Sequence, residues 1–359
     1  MKNKKFKFRT IRAILGLAII MLAFSCTKET ETPPVLDENF NDGVFIVNEG
    51  AYFGGTGTIT FLKRDGSQVL YKIYQEANLG LPLGNIVQSM NIIDDIAFIA
   101  VNNGNQVEMA ATKTFQSLGN LPNIDYPAYI IGAGNNKIYI SSWDNTVKIY
   151  TTDGTEYVGQ IDVGTGPTRM IDINSDIWVL NQGGLSVDST ISIIDKSNDQ
   201  VKETKQVYPV PSGIQQDKNG LVWVLCTGKG FWQGGASEGH LIAIDPVTYA
   251  IQKDFIFPDT INHPEKLAIN NTGDVLFYNY PGGVYKFEIN SSSLENSPFV
   301  ARPGMFYSLA CDPKDNVIYV SDPVDYVQDG WVYRYHAATG SVIDSLKAGI
   351  VPREYHFVD

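Results

Sequence analysis

Cysteine and histidine are scarce in this sequence, with three and four residues among 359. None of the cysteines belongs to a Cys-x-x-Cys or Cys/His pattern with the spacing of zinc ligands. The sequence also lacks a Gly-x-Ser-x-Gly nucleophile motif, a phosphate-binding loop and a Gly-rich dinucleotide turn between a strand and a helix. We therefore predict no catalytic residue, no metal and no cofactor, and a binding protein rather than an enzyme.

Basic residues are in the minority as well, since 27 Lys and Arg stand against 39 Asp and Glu. Six of the basic residues lie among the first twelve positions, which we expect to be removed, and their loss changes the net charge from −12 to −18. An acidic body repels phosphate backbones, and the sequence has no Lys/Arg stripe. A nucleic acid is therefore not an expected partner.

The first 25 residues have the pattern of a signal peptide. The basic start is followed by an apolar run from Ile14 to Phe24, which is short for a membrane span. Ser25-Cys26 ends the run and resembles a bacterial lipobox, in which the peptidase cleaves before the cysteine and the thiol is acylated, although Ala23 stands where leucine is usual. We predict lipidation at Cys26, with an uncleaved membrane anchor as the alternative.

Residues 26–42 are predicted to be a flexible tether, rich in Thr, Glu and Pro. An acidic stretch directly after a lipidated cysteine resembles the signal with which some Gram-negative bacteria export lipoproteins to the cell surface. We expect the protein in the outer membrane, facing the cell exterior, with the lipid as its only membrane contact. The periplasmic leaflet is the alternative location.

Residues 43–359 contain a repeated unit of four short strands. Each unit opens with a Pro-led strand, turns on Asn, Asp or Gly, and continues with an apolar strand that contains an aromatic residue. An example is Pro127 to Ile130 followed by Lys137 to Ile140. Two more alternating strands follow, of which the last is more polar. Four strands of period two in about forty residues indicate a β-propeller blade.

The repeats predict an all-β fold, a seven-bladed β-propeller closed by its C-terminal strand. The first unit begins at Val44 without an opening strand, whereas a Pro-led strand without a successor remains at Pro352 to Val358. Pairing Tyr355 to Val358 with Val44 to Val47 completes the first blade and removes the open sheet edges. Since the long unit from Val210 to Thr260 has room for an insertion, six and eight blades are the alternatives.

One face of this propeller is the predicted binding face. Strand direction alternates within a blade, so the loops between second and third strands share a face with the openings of the following blades. These segments carry aromatic residues interleaved with Asn, Asp and basic residues, which suits a large planar or polyhydroxylated ligand. Turn geometry and core capping are the structural alternative. The predicted ligand-binding residues are Tyr52, Phe53, Trp143, Asn145, Arg169, Phe231, Trp232, Tyr280, Tyr326 and Arg353.

Two cysteines remain after Cys26. Cys226 and Cys311 both lie in apolar, strand-like runs. We expect buried free thiols, because a disulfide requires the two strands to lie side by side.

The Pro-led units over residues 43–359 resemble YncE-type seven-bladed propellers. The segment from Gly43 to Gly50, after a lipobox, resembles more specifically the surface lipoprotein propellers found beside TonB-dependent transporters. The BtuG-type branch of that family binds cobalamin on one propeller face and passes it to an outer-membrane transporter. The resemblance implies a small-molecule nutrient ligand, first a corrinoid and next a glycan or peptide, and a TonB-dependent transporter as partner.

Two other functions remain open from the sequence. Metal-dependent propeller hydrolases of the gluconolactonase kind place Glu, Asn and Asp around the axis, and Glu265, Glu354, Asn48 and Asn181 could supply such oxygen ligands. The alternatives to nutrient capture are therefore a metal-dependent hydrolase or lactonase and a protein-interaction scaffold of the cell envelope.

Overall fold

The described part of the chain contains 28 strands, which pair into seven four-stranded antiparallel sheets. The structure, a computed structural model, describes residues 40–122, 124–302 and 306–359. The predicted signal peptide, Cys26 and all but the last residues of the tether lie outside these ranges. No helix within them is long and apolar enough to cross a membrane.

Each sheet is one blade, with its strands in chain order except for the closing strand of blade 1. Blade 1 contains β28 (Pro352–Val358), β1 (Gly43–Asn48), β2 (Thr58–Lys63) and β3 (Val69–Leu70), and blade 2 contains β4 (Val87–Ile93), β5 (Ile96–Val101), β6 (Gln106–Ala111) and β7 (Ser117–Pro122). Blade 3 contains β8 (Pro127–Gly134), β9 (Lys137–Ser142), β10 (Thr146–Thr151) and β11 (Tyr157–Asp162). Blade 4 contains β12 (Pro167–Ile173), β13 (Asp176–Asn181), β14 (Thr190–Asp195) and β15 (Gln200–Gln206). Blade 5 contains β16 (Pro211–Gln216), β17 (Val222–Cys226), β18 (Gly239–Ile244) and β19 (Ile251–Phe257). Blade 6 contains β20 (Glu265–Ile269), β21 (Val275–Tyr280), β22 (Gly283–Glu288) and β23 (Val300–Ala301). Blade 7 contains β24 (Leu309–Cys311), β25 (Val317–Asp322), β26 (Asp329–His336) and β27 (Val342–Ile350).

The first strand of every blade faces the axis. Around the ring, β4 contacts β8, β8 contacts β12, β12 contacts β16, β16 contacts β20, β20 contacts β24, β24 contacts β28 and β28 contacts β4. Seven strands in one closed circle confirm the predicted seven-bladed propeller. The alternatives of six and eight blades are wrong, because residues 210–260 form a single blade whose extra length is the loop between β17 and β18.

The ring closes through the predicted pairing of β28 with β1. Val44 lies opposite Phe357, Ile46 opposite Tyr355 and Val47 opposite Glu354. β1 is therefore paired on both sides, since β2 occupies its other edge. A closed blade leaves no free inner edge for pairing with another chain.

The core is divided among the seven interfaces between neighbouring blades. Each interface holds one cluster of buried apolar side chains, drawn from both blades. Between blades 1 and 2, Phe45 and Phe61 pack with Phe115, and the short helix α1 (Ile73–Ala77) covers them. Interfaces of this kind fix the blades relative to one another and make the loop face a rigid platform.

The two described cysteines do not pair. Cys226 is buried on β17 of blade 5, whereas Cys311 lies on β24 of blade 7 and is partly exposed. Both are free thiols, as expected from their apolar surroundings.

Candidate functional site

β-Bulges at the start of the innermost strands shape the axis of the propeller. Strand register shifts at this position in six blades, for example between Glu265 and Leu267 in blade 6. A bulge sets two residues of one strand against one residue of its partner and re-aims a side chain. Consecutive residues consequently line the same cavity, as Thr168 and Arg169 do in blade 4 and Arg353 and Glu354 in blade 1.

This axial cavity has a volume of about 160 Å³ and a strongly charged wall. Its charged residues are Arg169, Glu265, Lys266, Arg353 and Glu354, which come from blades 4, 6 and 1. Three cations and two carboxylates in so small a space require compensation, because an unpaired charge is costly away from bulk water.

Two of the cations are held in ion pairs. Arg169 donates a hydrogen bond to Glu354 at 2.7 Å, and its guanidinium lies over the ring of Tyr129. Arg353 donates to Glu49, a buried residue of the loop that follows β1. Burial opposes the charge on both arginines, but the facing carboxylates outweigh it and raise the pKa of each guanidinium. These groups are therefore fixed before any ligand arrives.

Tyr307 extends the second pair toward the rim. Its hydroxyl lies 3.0 Å from both carboxylate oxygens of Glu49, to which it donates, and it accepts a hydrogen bond from Arg353 at 3.3 Å. The ring of Tyr326 packs edge-on against the Tyr307 ring, with centroids 5.8 Å apart. The axial cavity and the aromatic rim are thus connected by direct side-chain contacts.

The side chains of Lys266 and Glu265 are the two charged groups of the cavity that form no ion pair or hydrogen bond with another described residue. The Lys266 ammonium lies over the face of the Tyr307 ring, 5.7 Å from its centroid. Burial, together with the nearby charge of Arg353, lowers the pKa of Lys266 to about 8. Lys266 also adopts φ of 56°, a left-handed conformation that is uncommon for a side chain of this size. The bulge holds it there.

A second cavity, of about 350 Å³, opens beside the axial cavity on the loop face. Its wall is mostly apolar and includes Ile261, Tyr280, Pro281 and Phe306. Tyr280 is held by contacts with Phe257 and Tyr285. Glu265 lines both cavities, so the charged space and the apolar space meet at its side chain.

Aromatic side chains surround these cavities on the loop face. Tyr52 and Phe53 are 65% and 90% exposed, and Phe231 and Trp232 are 74% and 93% exposed. Within each pair the rings meet edge to face, at 4.9 and 5.3 Å. Among the described residues, six of the eight exposed aromatic side chains lie in the loops and openings of this face, the other two being Tyr71 and Tyr157. Over the described ranges, the opposite face has no comparable group of exposed aromatic rings.

Eight of the ten predicted ligand-binding residues fall into three groups on the loop face. Arg169 and Arg353 come together in the axial cavity, and Tyr280 lines the second cavity. The exposed rim contains Tyr52, Phe53, Phe231, Trp232 and Tyr326.

Trp143 and Asn145 contact neighbouring residues of the propeller itself. Trp143 stacks on Tyr126 at 6.0 Å, and its buried indole N–H has no acceptor among the described residues. The Asn145 side-chain oxygen accepts a hydrogen bond from the Gly166 backbone at 3.0 Å, which ties its loop to the opening of blade 4.

The oxygen ligands of the hydrolase alternative do not converge. Glu265 and Glu354 line the axial cavity, but Asn48 and Asn181 are fully buried and donate to threonine hydroxyls within their own blades. Over the ranges that the structure describes, no three His, Cys, Asp or Glu side chains come together as a potential metal site.

Tyr129, Glu49, Lys266 and Tyr307 belong to the site but are absent from the predicted ligand-binding set. A signal for two of them is present in the repeat: Tyr129 and Lys266, like Arg169 and Glu354, are the second residue after the leading proline. The bulge makes that position face the axis. Glu49 and Tyr307 share no such position, so only the structure brings them to Arg353.

The described strands define a seven-bladed β-propeller with two cavities at its loop face. By sequence the chain belongs to the DUF5074 family, a domain of unknown function, which it matches over residues 42–356. No curated protein matches the sequence.

Several solved structures share the fold. A quinoprotein alcohol dehydrogenase-like protein from Bacteroides thetaiotaomicron is similar with a TM-score of 0.67 and 13% identity, over 90% of this chain and 80% of the other. The computationally designed Ika8 protein has a TM-score of 0.56 and 14% identity, over 89% and 92%. Hydrazine synthase from Kuenenia stuttgartiensis has a TM-score of 0.55 and 13% identity, over 72% and 85%. At these identities the similarity shows the fold alone.

Proposed function

We propose that this protein is an outer-membrane surface lipoprotein that captures a nutrient on the loop face and hands it to a TonB-dependent transporter. The first ligand to test is a corrinoid. The observation that carries the proposal is the concentration of exposed aromatic rings on one face. Large apolar side chains gathered in water mark a surface that a ligand or partner covers.

The chemistry of this face favours binding over catalysis. The rim rings offer flat apolar area to a large planar ligand, and the arginines beneath them are already fixed by Glu354 and Glu49. A preformed site loses little conformational entropy when it binds, which supports affinity without a reacting group. The lipobox-like Ser25-Cys26 and the acidic tether support the proposed location.

Titration of the purified protein with cyanocobalamin tests the ligand. We expect saturable binding at micromolar concentration, with quenching of tryptophan fluorescence, and about tenfold weaker binding when Phe231 and Trp232 are both replaced by Ala. Tyr157→Ala, an exposed aromatic at the start of β11 away from this face, is the matched control. Absence of binding would exclude a corrinoid as the ligand. Full affinity in the double variant would exclude the aromatic rim as the binding surface.

Location and partner need separate experiments. Replacement of Cys26 by Ser should release the protein from the membrane, and externally added protease should digest the wild-type protein on intact cells. Protection from protease would favour the periplasmic leaflet. Co-purification of a TonB-dependent transporter supports the handover, whereas other envelope proteins in its place would favour the scaffold.

A further inference from the structure

We propose that the axial cavity and the adjoining apolar cavity together bind a small zwitterion with an apolar side chain, of the α-amino acid class. The carboxylate of this ligand pairs with Lys266, its ammonium group pairs with Glu265, and its side chain enters the apolar cavity beside Tyr280 and Phe306. The inference goes beyond corrinoid capture, because it concerns the space beneath the rim and a different ligand.

Charge balance in the axial cavity is the first argument. Arg169 is neutralised by Glu354 and Arg353 by Glu49. Lys266 and Glu265 remain as one cation and one anion without an ion-pair partner among the described residues. A ligand with a single negative charge satisfies Lys266 and leaves Glu265 uncompensated, and a single positive charge does the reverse. A ligand with both charges leaves neither group unpaired.

The order of the groups around Glu265 is the second argument. Glu265 lines both cavities, whereas Lys266 lines only the charged one. The ligand group that meets Glu265 must therefore lie between the anionic end and the apolar part. In an α-amino acid a single carbon carries the carboxylate, the ammonium and the side chain, which matches this order.

The walls of the apolar cavity specify the side chain. Tyr280, Pro281, Phe306 and Ile261 present rings and aliphatic carbon, and its volume of about 350 Å³ exceeds that of the axial cavity. Burial of a side chain against such walls is favourable because it removes apolar surface from water. An aromatic amino acid offers the larger contact area, so L-phenylalanine is the probe.

Three related ligands separate the charge requirements in the unmodified protein. At pH 7 an amine with a pKa of about 8 is charged, so calorimetric titrations are made at that pH. L-Phenylalanine should bind at least about tenfold more tightly than either of two analogues. 3-Phenylpropionate lacks the ammonium group, and phenethylamine lacks the carboxylate. Equal affinity for all three, or no saturable binding of L-phenylalanine at millimolar concentration, overturns the proposal.

Two variants assign each charge to its partner. In K266M the preference for L-phenylalanine over phenethylamine should disappear, while in E265Q the preference over 3-phenylpropionate should disappear. K218M is the matched control, because Lys218 is exposed and pairs with Asp274 in the turns between first and second strands, on the other face. If a variant does not fold, the comparison of the three ligands on the wild-type protein still tests the proposal.

The outcome is separable from that of the proposed function. Cyanocobalamin is titrated into the unmodified protein in parallel, so that binding of the corrinoid and of L-phenylalanine is scored independently. Corrinoid binding without L-phenylalanine binding overturns this inference alone. L-Phenylalanine binding without corrinoid binding supports it and removes the corrinoid from the proposed function.

Discussion

The guanidinium of Arg64, in blade 1, donates a hydrogen bond to the carboxylate of Asp312, in blade 7. The same guanidinium donates to the backbone oxygen of Val358 on the closing strand at 2.7 Å. Both side chains of the ion pair are buried, and Asp312 has no exposed surface. One charged group thus joins the two blades on either side of the closure and holds the strand that completes the ring.

Replacement of Arg64 by Met should destabilise the protein by about 3 to 5 kcal/mol, because it leaves the Asp312 carboxylate buried without its partner. The measurement is chemical unfolding followed by fluorescence. The exposed pair of Lys218 and Asp274 is the control, since K218M should cost less than about 1 kcal/mol. Similar losses in the two variants would contradict the role given to Arg64.

Replacement of Tyr355 by Ala should also cost about 3 to 5 kcal/mol. Its ring packs on Tyr319 with centroids 5.5 Å apart, and its hydroxyl lies 2.8 Å from the Ser308 hydroxyl. Tyr355→Phe removes only that hydrogen bond and should cost about 1 kcal/mol. Denaturant midpoints measure both, and exposed Tyr157→Ala should leave the midpoint almost unchanged. Equal effects at Tyr355 and Tyr157 would mean that closure does not limit stability.

His356 makes the closing strand sensitive to acid. Burial lowers its pKa to about 4, against the opposing charge of Glu354. Between pH 6.5 and 4 the unfolded chain therefore binds a proton that the folded protein does not, so stability falls as the pH falls through this range. The melting temperature of His356→Gln should decrease less between pH 7 and 4.5 than that of the wild type. The exposed His336→Gln is the control, and an unchanged pH response in His356→Gln would be evidence against this origin.

The thiols should be unreactive in the folded protein. Burial raises the pKa of Cys226 and of Cys311 to about 12, so almost no thiolate is present at pH 8. In a protein with Cys26 replaced by Ser, an aromatic disulfide reagent should modify the partly exposed Cys311 before the buried Cys226, and both only slowly. Guanidinium should release two rapidly reacting thiols. Rapid reaction of Cys226 in buffer would show that blade 5 opens.

The fold was predictable because its determinants are local and repeated. Period-two alternation and the leading prolines define the strands, and the unpaired strand at Pro352 identifies the partner of β1. The exposed aromatics of the rim were predictable for a related reason: alternation assigns each loop to a face. Trp143 shows the limit of that rule, since a loop residue can pack on a neighbour such as Tyr126 instead of facing solvent.

The axial cavity was only partly predictable. Arg169 and Arg353 could be placed on the predicted binding face. Arg169 and Glu354 also share the position two residues after a leading proline, but nothing in the sequence shows that these two side chains pair across the ring. The repeat marks the position of Lys266, but the bulge that turns it toward the axis is seen only in its left-handed backbone conformation. Side-chain pairs across a ring depend on distances that sequence spacing does not determine.

The position of β28 at the end of the chain determines when the ring can close during synthesis. A chain emerging from the ribosome can complete blades 2 to 7 one after another, whereas β1, among the first strands made, must wait for residues 352–358 before its inner edge is covered. During folding this edge is available to any other extended segment. The architecture therefore leaves β1 unpaired on one side until the last segment of the chain has been made.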